Sequence, residues 1–192
     1  MQRVLDSCDR QTSLGKRDYA ILLLLARLGL RAKEIATLTL DDIDWQSGQL
    51  RIRGKGRRRA CMRLLREVGR AMAEYLAHGR PHTDDRHVFV RTLAPHIGFA
   101  SSSAISQIAV SALQRAGLAV RRKGTHIFRH SFAVATLLDW YRSGQNVDTL
   151  LPVLSTYLGH SCIRDTYWYL STCPELMEHA ARRLEQYWEA SP

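Results

Sequence analysis

The feature that most restricts the fold is a strongly apolar segment with a helical pattern, residues 16–28, which ends at Gly29. Glycine often closes a helix because it adopts a left-handed backbone conformation without strain. The uninterrupted apolar stretch within the segment is far shorter than a membrane span, since Arg27 ends it. The segment therefore predicts a helix in a globular core, which a chain of 192 residues is long enough to fill.

Other segments with helical periodicity follow, most of them ended by glycine or proline. They predict further helices at residues 32–38, 68–76, 101–116, 126–141, 147–158, 164–170 and 174–188.

Alternating polar and apolar residues predict a strand over residues 49–53 and a return strand through Met62 and Leu64, with Gly54 and Gly56 at the turn. Residues 87–91 predict a third short strand. The fold class expected is α+β, mostly α-helical with a small three-stranded antiparallel sheet. Residues 1–14 are expected to be a flexible lead-in to one domain over residues 15–192.

The chain is strongly basic, with a formal net charge of +10 and a sequence pI near 10.0. The positive residues cluster around the predicted hairpin and before His126, which favours a nucleic acid as an anionic partner. No export signal or membrane span is evident, and the four cysteines are scattered. We therefore expect a cytoplasmic protein with reduced thiols and no metal site. The predicted DNA-binding residues are Arg57, Arg58, Arg59, Arg121, Arg122 and Lys123.

Several residues have the chemistry needed to act on a DNA phosphate. His126 and Arg129 lie one helical turn apart, so both can approach one phosphate. The fork of an arginine matches phosphate oxygens, and a tyrosine hydroxyl can attack phosphorus. Each residue alone also has an ordinary explanation: Arg31, for example, could cap a helix or form a salt bridge with Glu34 or Asp41.

Taken together, five motifs in order resemble those of tyrosine recombinases, the integrases of phages and mobile elements and the resolvases of chromosome dimers. The resemblance spans residues 16–188. It is carried by the segment around Arg31, by Ile52-Arg53-Gly54-Lys55-Gly56, by His126-Ile127-Phe128-Arg129-His130, by Leu158-Gly159-His160, and by Tyr169 nine residues after His160.

The resemblance implies cutting and rejoining of DNA through a 3′-phosphotyrosyl intermediate, with neither metal nor cofactor. Tyr169 would be the nucleophile, and Tyr167 is its competitor; the two point to nearly opposite sides of a helix, so only one can face the phosphate while the other packs. Arg31 and Arg129 would grip the phosphate, His126 would accept the phenolic proton, His160 would donate a hydrogen bond, and Lys55 would protonate the leaving oxygen.

Departures from the family pattern leave other functions open. The family normally has a separate N-terminal DNA-clamping domain, which is expected to be absent because only 30 residues precede Arg31. A non-catalytic DNA-binding remnant and a type IB topoisomerase that relaxes one strand are the alternatives. The last predicted helix is expected either to mediate self-association on DNA or to dock on the chain's own core. Its apolar stripe consists of Leu176, Ala180, Leu184 and Trp188.

Overall fold

The computed structural model describes residues 1–54, 59–118, 124–160, 162, 164–171 and 173–189. Over these residues the chain is mostly helical, with one three-stranded sheet and a 3₁₀ turn at Leu40–Asp42. The helices are α1 (Gln2–Asp6), α2 (Ser13–Arg27), α3 (Ala32–Ala36), α4 (Arg66–His78), α5 (Ser103–Arg115), α6 (Gly124–Arg142), α7 (Val147–Leu158), α8 (Arg164–Ser171) and α9 (Pro174–Glu189). The strands are β1 (Ile43–Asp44), β2 (Gln49–Arg53) and β3 (Arg59–Arg63).

The chain divides into two compact units, Met1–Arg129 and His130–Pro192. Nothing in the sequence marks this division, because it falls inside α6, whose apolar periodicity continues across it. None of the helices that the structure describes is long and apolar enough to cross a membrane.

Helix α2 forms the centre of the core of the first unit. The six consecutive residues 20–25 are all fully buried, which is typical of a helix surrounded by other elements on every side. The Thr12 side chain accepts a hydrogen bond from the Gly15 amide, at 3.0 Å, so the helix begins three residues before the predicted start. Gly29, with a φ of 60°, follows its last turn as predicted.

Helix α1 lies within the segment expected to be a flexible lead-in. Val4 and Leu5 are buried in the same core as α2, and Arg3 donates a hydrogen bond to the Ala116 carbonyl, at 3.1 Å. Residues 2–6 are therefore a packed part of the first unit. The prediction missed this because two adjacent apolar residues are too few to reveal a helical period.

The sheet has the order β1-β2-β3, and both pairings are antiparallel. Strand β2 has the predicted bounds and the predicted alternation, with Leu50 and Ile52 buried and the residues between them exposed. Leu50 pairs with Met62, and Arg51 pairs with Cys61.

The prediction of a strand over residues 87–91 was wrong, and β1 is the third strand instead. Within this segment the structure describes only isolated bridges, one of which joins Thr39 to His87. The carbonyls of His87 and Val88 accept hydrogen bonds from the Arg80 side chain, at 2.9 and 3.3 Å. A side chain thus occupies the acceptors that a neighbouring strand would need.

The second unit consists of the later part of α6 and of α7, α8 and α9. Asn146 caps α7 by accepting a hydrogen bond from the Asp148 amide, at 3.1 Å. The buried residues that form its core are Ala133, Leu137, Val147, Leu151, Leu154, Leu158, Tyr169 and Leu176.

Candidate active site

Arg31 is positioned by the break between α2 and α3. It is the N-cap residue of α3, with extended backbone angles, and follows the turn at Gly29. The carboxylate of Glu34 accepts hydrogen bonds from the Arg31 amide, at 2.7 Å, and from its Nη1 atom, at 2.9 Å. Of the two acidic partners considered for Arg31, Glu34 is the one the structure shows, while Asp41 pairs with Arg86.

Glu34 is a site residue that the sequence presented only as a salt-bridge partner. Its side chain is 9% exposed, whereas that of Arg31 is 37% exposed. A buried carboxylate that holds an accessible guanidinium at a helix start fixes the direction in which the cation points. Glu34 therefore orients the first arginine of the predicted set.

The segment containing His126 and Arg129 is anchored by one of the two residues between them. Phe128 is fully buried in the core of the first unit, while His126 on the same helix is exposed. Helix α6 begins close against α5, since a Cβ at Gly124 would lie 2.7 Å from Val110 Cγ2. Phe128 thus fixes the rotation of α6 that presents the predicted general base to solvent.

Arg129 is buried and reaches the end of α2. Its Nη1 atom donates a hydrogen bond to the Gly29 carbonyl, at 2.7 Å, and the residue is only 8% exposed. That carbonyl lies two residues before Arg31 along the chain. The first unit therefore brings the two predicted arginines together through the turn at Gly29.

Tyr169 lies on the buried face of α8 in the second unit. It is 7% exposed, and Thr166, three residues earlier on the same face, is fully buried. Tyr167 and Trp168 are instead 48% and 58% exposed. The two competing tyrosines thus lie on different faces of the helix, as its geometry predicts, but Tyr169, the predicted nucleophile, is the one that packs, and Tyr167 is the one exposed.

The ring of Tyr169 contacts two histidine rings. The His160 ring is 6.0 Å away, centroid to centroid, and nearly parallel to it at 23°. The His130 ring is 5.4 Å away and tilted by 42°. The tyrosine is therefore held by imidazoles from α6 and from the turn after α7.

His160 is fixed by its backbone and by its ring. Gly159 ends α7 with a φ of 61°, and the His160 amide then donates to the Ser155 carbonyl, at 3.0 Å. This is a common helix-ending arrangement in which glycine occupies the left-handed position. The Nδ1 atom of His160 lies 2.8 Å from Thr166 Oγ1.

His130 is a further residue near Tyr169 that was not singled out in the sequence. Its Nδ1 atom is buried and has no hydrogen-bond partner among the residues that the structure describes. Burial lowers the pKa of His130, because desolvation disfavours the imidazolium. The sequence could have pointed to His130 through its position four residues after His126, one turn further along the same predicted helix.

The exposed face of β2 and β3 is rich in arginine. Arg51 and Arg63 are exposed there, and Arg53 bonds to Asp42, at 3.2 Å. Of the predicted DNA-binding residues, Arg59 belongs to β3 and pairs with Arg53. The other five, Arg57, Arg58, Arg121, Arg122 and Lys123, lie outside the described part of the chain, as does Lys55, the predicted general acid.

The described residues contain no group of three or more histidine, cysteine or acidic side chains arranged to hold a metal ion.

Comparison with known proteins gives a consistent result. The chain matches the phage integrase family over residues 1–175. It is 43% identical over 169 residues to the putative integrase/recombinase y4rA of Sinorhizobium fredii (strain NBRC 101917 / NGR234), covering 88% of this chain and 39% of that protein. It is 27% identical over 186 residues to tyrosine recombinase XerC of Oceanobacillus iheyensis, covering 94% of this chain and 57% of that protein.

Solved structures also share the fold. The XerA recombinase superposes with a TM-score of 0.73 at 25% identity, over 100% of this chain and 62% of that one. XerH, in a post-cleavage complex with palindromic difH substrate, gives a TM-score of 0.73 at 20% identity, over 96% of this chain and 51% of that one.

The relatives are mostly longer proteins. The chain spans 39%, 56% and 41% of the length of three putative integrase/recombinases of Sinorhizobium fredii. The matched region nevertheless contains all five motifs, and the fold is that of a tyrosine recombinase catalytic domain. The chain belongs to the phage integrase family.

Proposed function

We propose that this chain cleaves and rejoins double-stranded DNA as the catalytic part of a site-specific tyrosine recombinase. Tyr169 Oη attacks a phosphodiester phosphorus, a 3′-phosphotyrosyl bond forms, and the bond to the 5′-oxygen breaks. The free 5′-hydroxyl of another strand then attacks the phosphotyrosine and releases Tyr169. The ester conserves the energy of the broken phosphodiester, so rejoining needs no external energy source.

Arg31 and Arg129 bind the non-bridging oxygens and stabilise the charge that develops on the phosphorane. Preorganised cations are effective here because they need no rearrangement as the charge grows. Glu34 and the Gly29 carbonyl hold the two guanidiniums, at 2.9 and 2.7 Å, and this supports the assignment.

The proton transfers require a base and an acid. A free tyrosine has a pKa of about 10 and is a weak nucleophile unaided, so His126 accepts its proton. His160 donates a hydrogen bond to a phosphate oxygen. Lys55 protonates the 5′-oxygen as it leaves.

The observation that carries this proposal is the placement of Tyr169. It is buried against the rings of His130 and His160, while Tyr167 is 48% exposed and outside that cluster. Relatives in the same family are named integrases or recombinases, and XerH has been solved in a post-cleavage complex with its DNA. Together these favour Tyr169 as the residue that becomes linked to DNA.

The DNA would be bound mainly through its phosphates. Arg51, Arg53 and Arg63 on the sheet add to the predicted basic residues, and such contacts neutralise phosphates without reading sequence. The additional predicted contacts are Arg57, Arg58, Arg59, Arg121, Arg122 and Lys123.

Self-association on DNA through α9 is part of the proposal. Leu176, the first residue of the apolar stripe, is buried in the core of the second unit, while Ala180 is exposed. The stripe therefore begins as an internal contact at Leu176, and Ala180, one turn later, is exposed to a second copy.

The test is incubation with a nicked suicide substrate, which loses a short fragment on cleavage and traps the covalent adduct. The wild-type chain and Tyr167→Phe should give a slowly migrating adduct on a denaturing gel, and Tyr169→Phe should give none. Peptide mapping should find DNA on Tyr169. Absence of an adduct from the wild-type chain, or DNA on Tyr167, would overturn the proposal.

A further inference from the structure

A buried hydroxyl lies beside His160. Thr166 is the third residue of α8 and is fully buried, and its Oγ1 atom is 2.8 Å from His160 Nδ1. A buried hydroxyl without a hydrogen bond is costly, so this contact satisfies both partners. Tyr169 lies one turn further along the same helix face, and its ring is stacked on that of His160.

Whether the partner of Nδ1 donates or accepts the hydrogen bond decides which ring nitrogen of a neutral imidazole carries the proton. When the Thr166 hydroxyl donates to Nδ1, the proton of a neutral imidazole must be on Nε2. Nε2 is then a hydrogen-bond donor on the edge of the ring remote from Thr166. A donor is the group that an anionic phosphate oxygen requires.

A hydroxyl also serves the charged form of the ring. If His160 gains a second proton, the hydroxyl can rotate and accept from Nδ1–H, and Nε2 remains a donor. A backbone carbonyl or a carboxylate at this position would instead hold the proton of a neutral ring on Nδ1 and leave Nε2 as an acceptor.

We propose that Thr166 is a positioning residue that keeps Nε2 of His160 protonated and directed for hydrogen bonding to the scissile phosphate. This rests on the proposed function, in which His160 contacts the phosphate. Thr166 is fully buried, so its effect on cleavage would pass through the imidazole.

Thr166 could instead serve only to fill the core, and a crossed pair of variants separates the two roles. Thr166→Val keeps the volume and the branched shape but removes the hydroxyl, whereas Thr166→Ser keeps the hydroxyl and removes a methyl group. Positioning predicts that Thr166→Val cleaves a nicked suicide substrate at least about 10-fold more slowly than wild type, because a lost supporting hydrogen bond typically costs about 10- to 100-fold. The loss should be in the single-turnover rate constant at saturating DNA rather than in the DNA concentration that gives half of that rate. Thr166→Ser should cleave within about 3-fold of wild type.

Core filling predicts the reverse order, with the serine variant weaker because it leaves a cavity. The proposal would be overturned if Thr166→Val cleaved as fast as wild type, or if Thr166→Ser cleaved no faster than Thr166→Val. Urea denaturation of both variants shows whether either rate reflects loss of folded protein.

A second readout needs no DNA and no activity. Two-bond ¹H–¹⁵N correlation spectra of the isotope-labelled chain, at about pH 8, report the tautomer of His160 directly. The wild-type chain and Thr166→Ser should show the proton on Nε2, and Thr166→Val should show an increased Nδ1–H fraction. A wild-type spectrum dominated by Nδ1–H, or an unchanged tautomer in Thr166→Val, would refute the role of Thr166.

The two proposals fail in different ways. If wild-type protein forms no adduct on Tyr169, the proposed function is lost, while the spectra still decide whether Thr166 sets the tautomer. If wild-type protein forms the adduct and the crossed pair shows the core-filling order, only the role of Thr166 is lost.

Discussion

Arg31 and Arg129 are assigned the same chemical task, yet their surroundings predict different costs when either is removed. We consider Arg31→Met and Arg129→Met, which keep most of the side-chain stem and delete the guanidinium. Arg129 is 8% exposed and bonded at 2.7 Å to the Gly29 carbonyl, whereas the side chain of Arg31 is 37% exposed.

The magnitude follows from these contacts. A hydrogen bond from a charged group contributes about 1.5–3 kcal/mol to stability, and the buried carbonyl left by Arg129→Met would be unpaired. We expect this variant to lose about 2 kcal/mol. Arg31→Met removes a partly exposed ion pair, and its backbone amide still bonds to Glu34, so we expect a loss below about 1 kcal/mol.

The losses in cleavage rate should not follow the order of the losses in stability. Each arginine would stabilise the same developing charge, and loss of one such group costs about 10²- to 10³-fold in rate. Urea denaturation gives the two stability changes, and single-turnover cleavage of a nicked substrate gives the two rates. The reasoning is refuted if Arg129→Met is as stable as wild type, or if Arg31→Met is destabilised equally.

Three further outcomes are expected. Gly15→Ala should lower the free energy of unfolding, measured by urea denaturation, by about 1–3 kcal/mol, because its Cβ would lie 1.8 Å from the Asp9 carbonyl oxygen. Alanine normally favours a helix, so a gain in stability would contradict this reasoning. The pKa of His130 is lowered in the folded chain, so the unfolded chain binds the proton first and stability falls as pH drops through about 6.5. His130→Phe should flatten the decline in Tm between about pH 7.5 and 5.5, and an unchanged slope would exclude His130 as a source of it. Lys55→Ala should cleave ordinary DNA slowly and recover on a 5′-bridging phosphorothiolate, whose leaving sulfur needs no proton; failure to recover would remove Lys55 as the acid.

Features that depend on neighbours in sequence were predicted well. The stop at Gly29, the alternation over β2 and the helical spacing of His126 and Arg129 each follow from a local rule, and the structure confirms these elements. The separation of Tyr167 and Tyr169 onto different faces also follows from helix geometry. The resemblance read from the order of the five motifs is confirmed by the match to the phage integrase family.

Features that depend on distant contacts were missed. Residues 87–91 are apolar enough for a strand, but two of the carbonyls there are taken by Arg80, which no local pattern reveals. The contribution of Thr166 is visible only once α8 and the turn after α7 are folded together. Glu34 could have been proposed as an orienting carboxylate from its spacing to Arg31, but its burial could not.

The complete burial of residues 20–25 in α2 has a consequence for hydrogen exchange. The amides there are within a helix and are covered by side chains on every side, so a local fluctuation does not expose them to water. Their exchange with deuterium requires the surrounding core to open, and the slowest of them measures the free energy of that opening. Mass-spectrometric exchange of this one peptide therefore provides an internal gauge of the stability of residues 1–129, independent of DNA, substrate or activity.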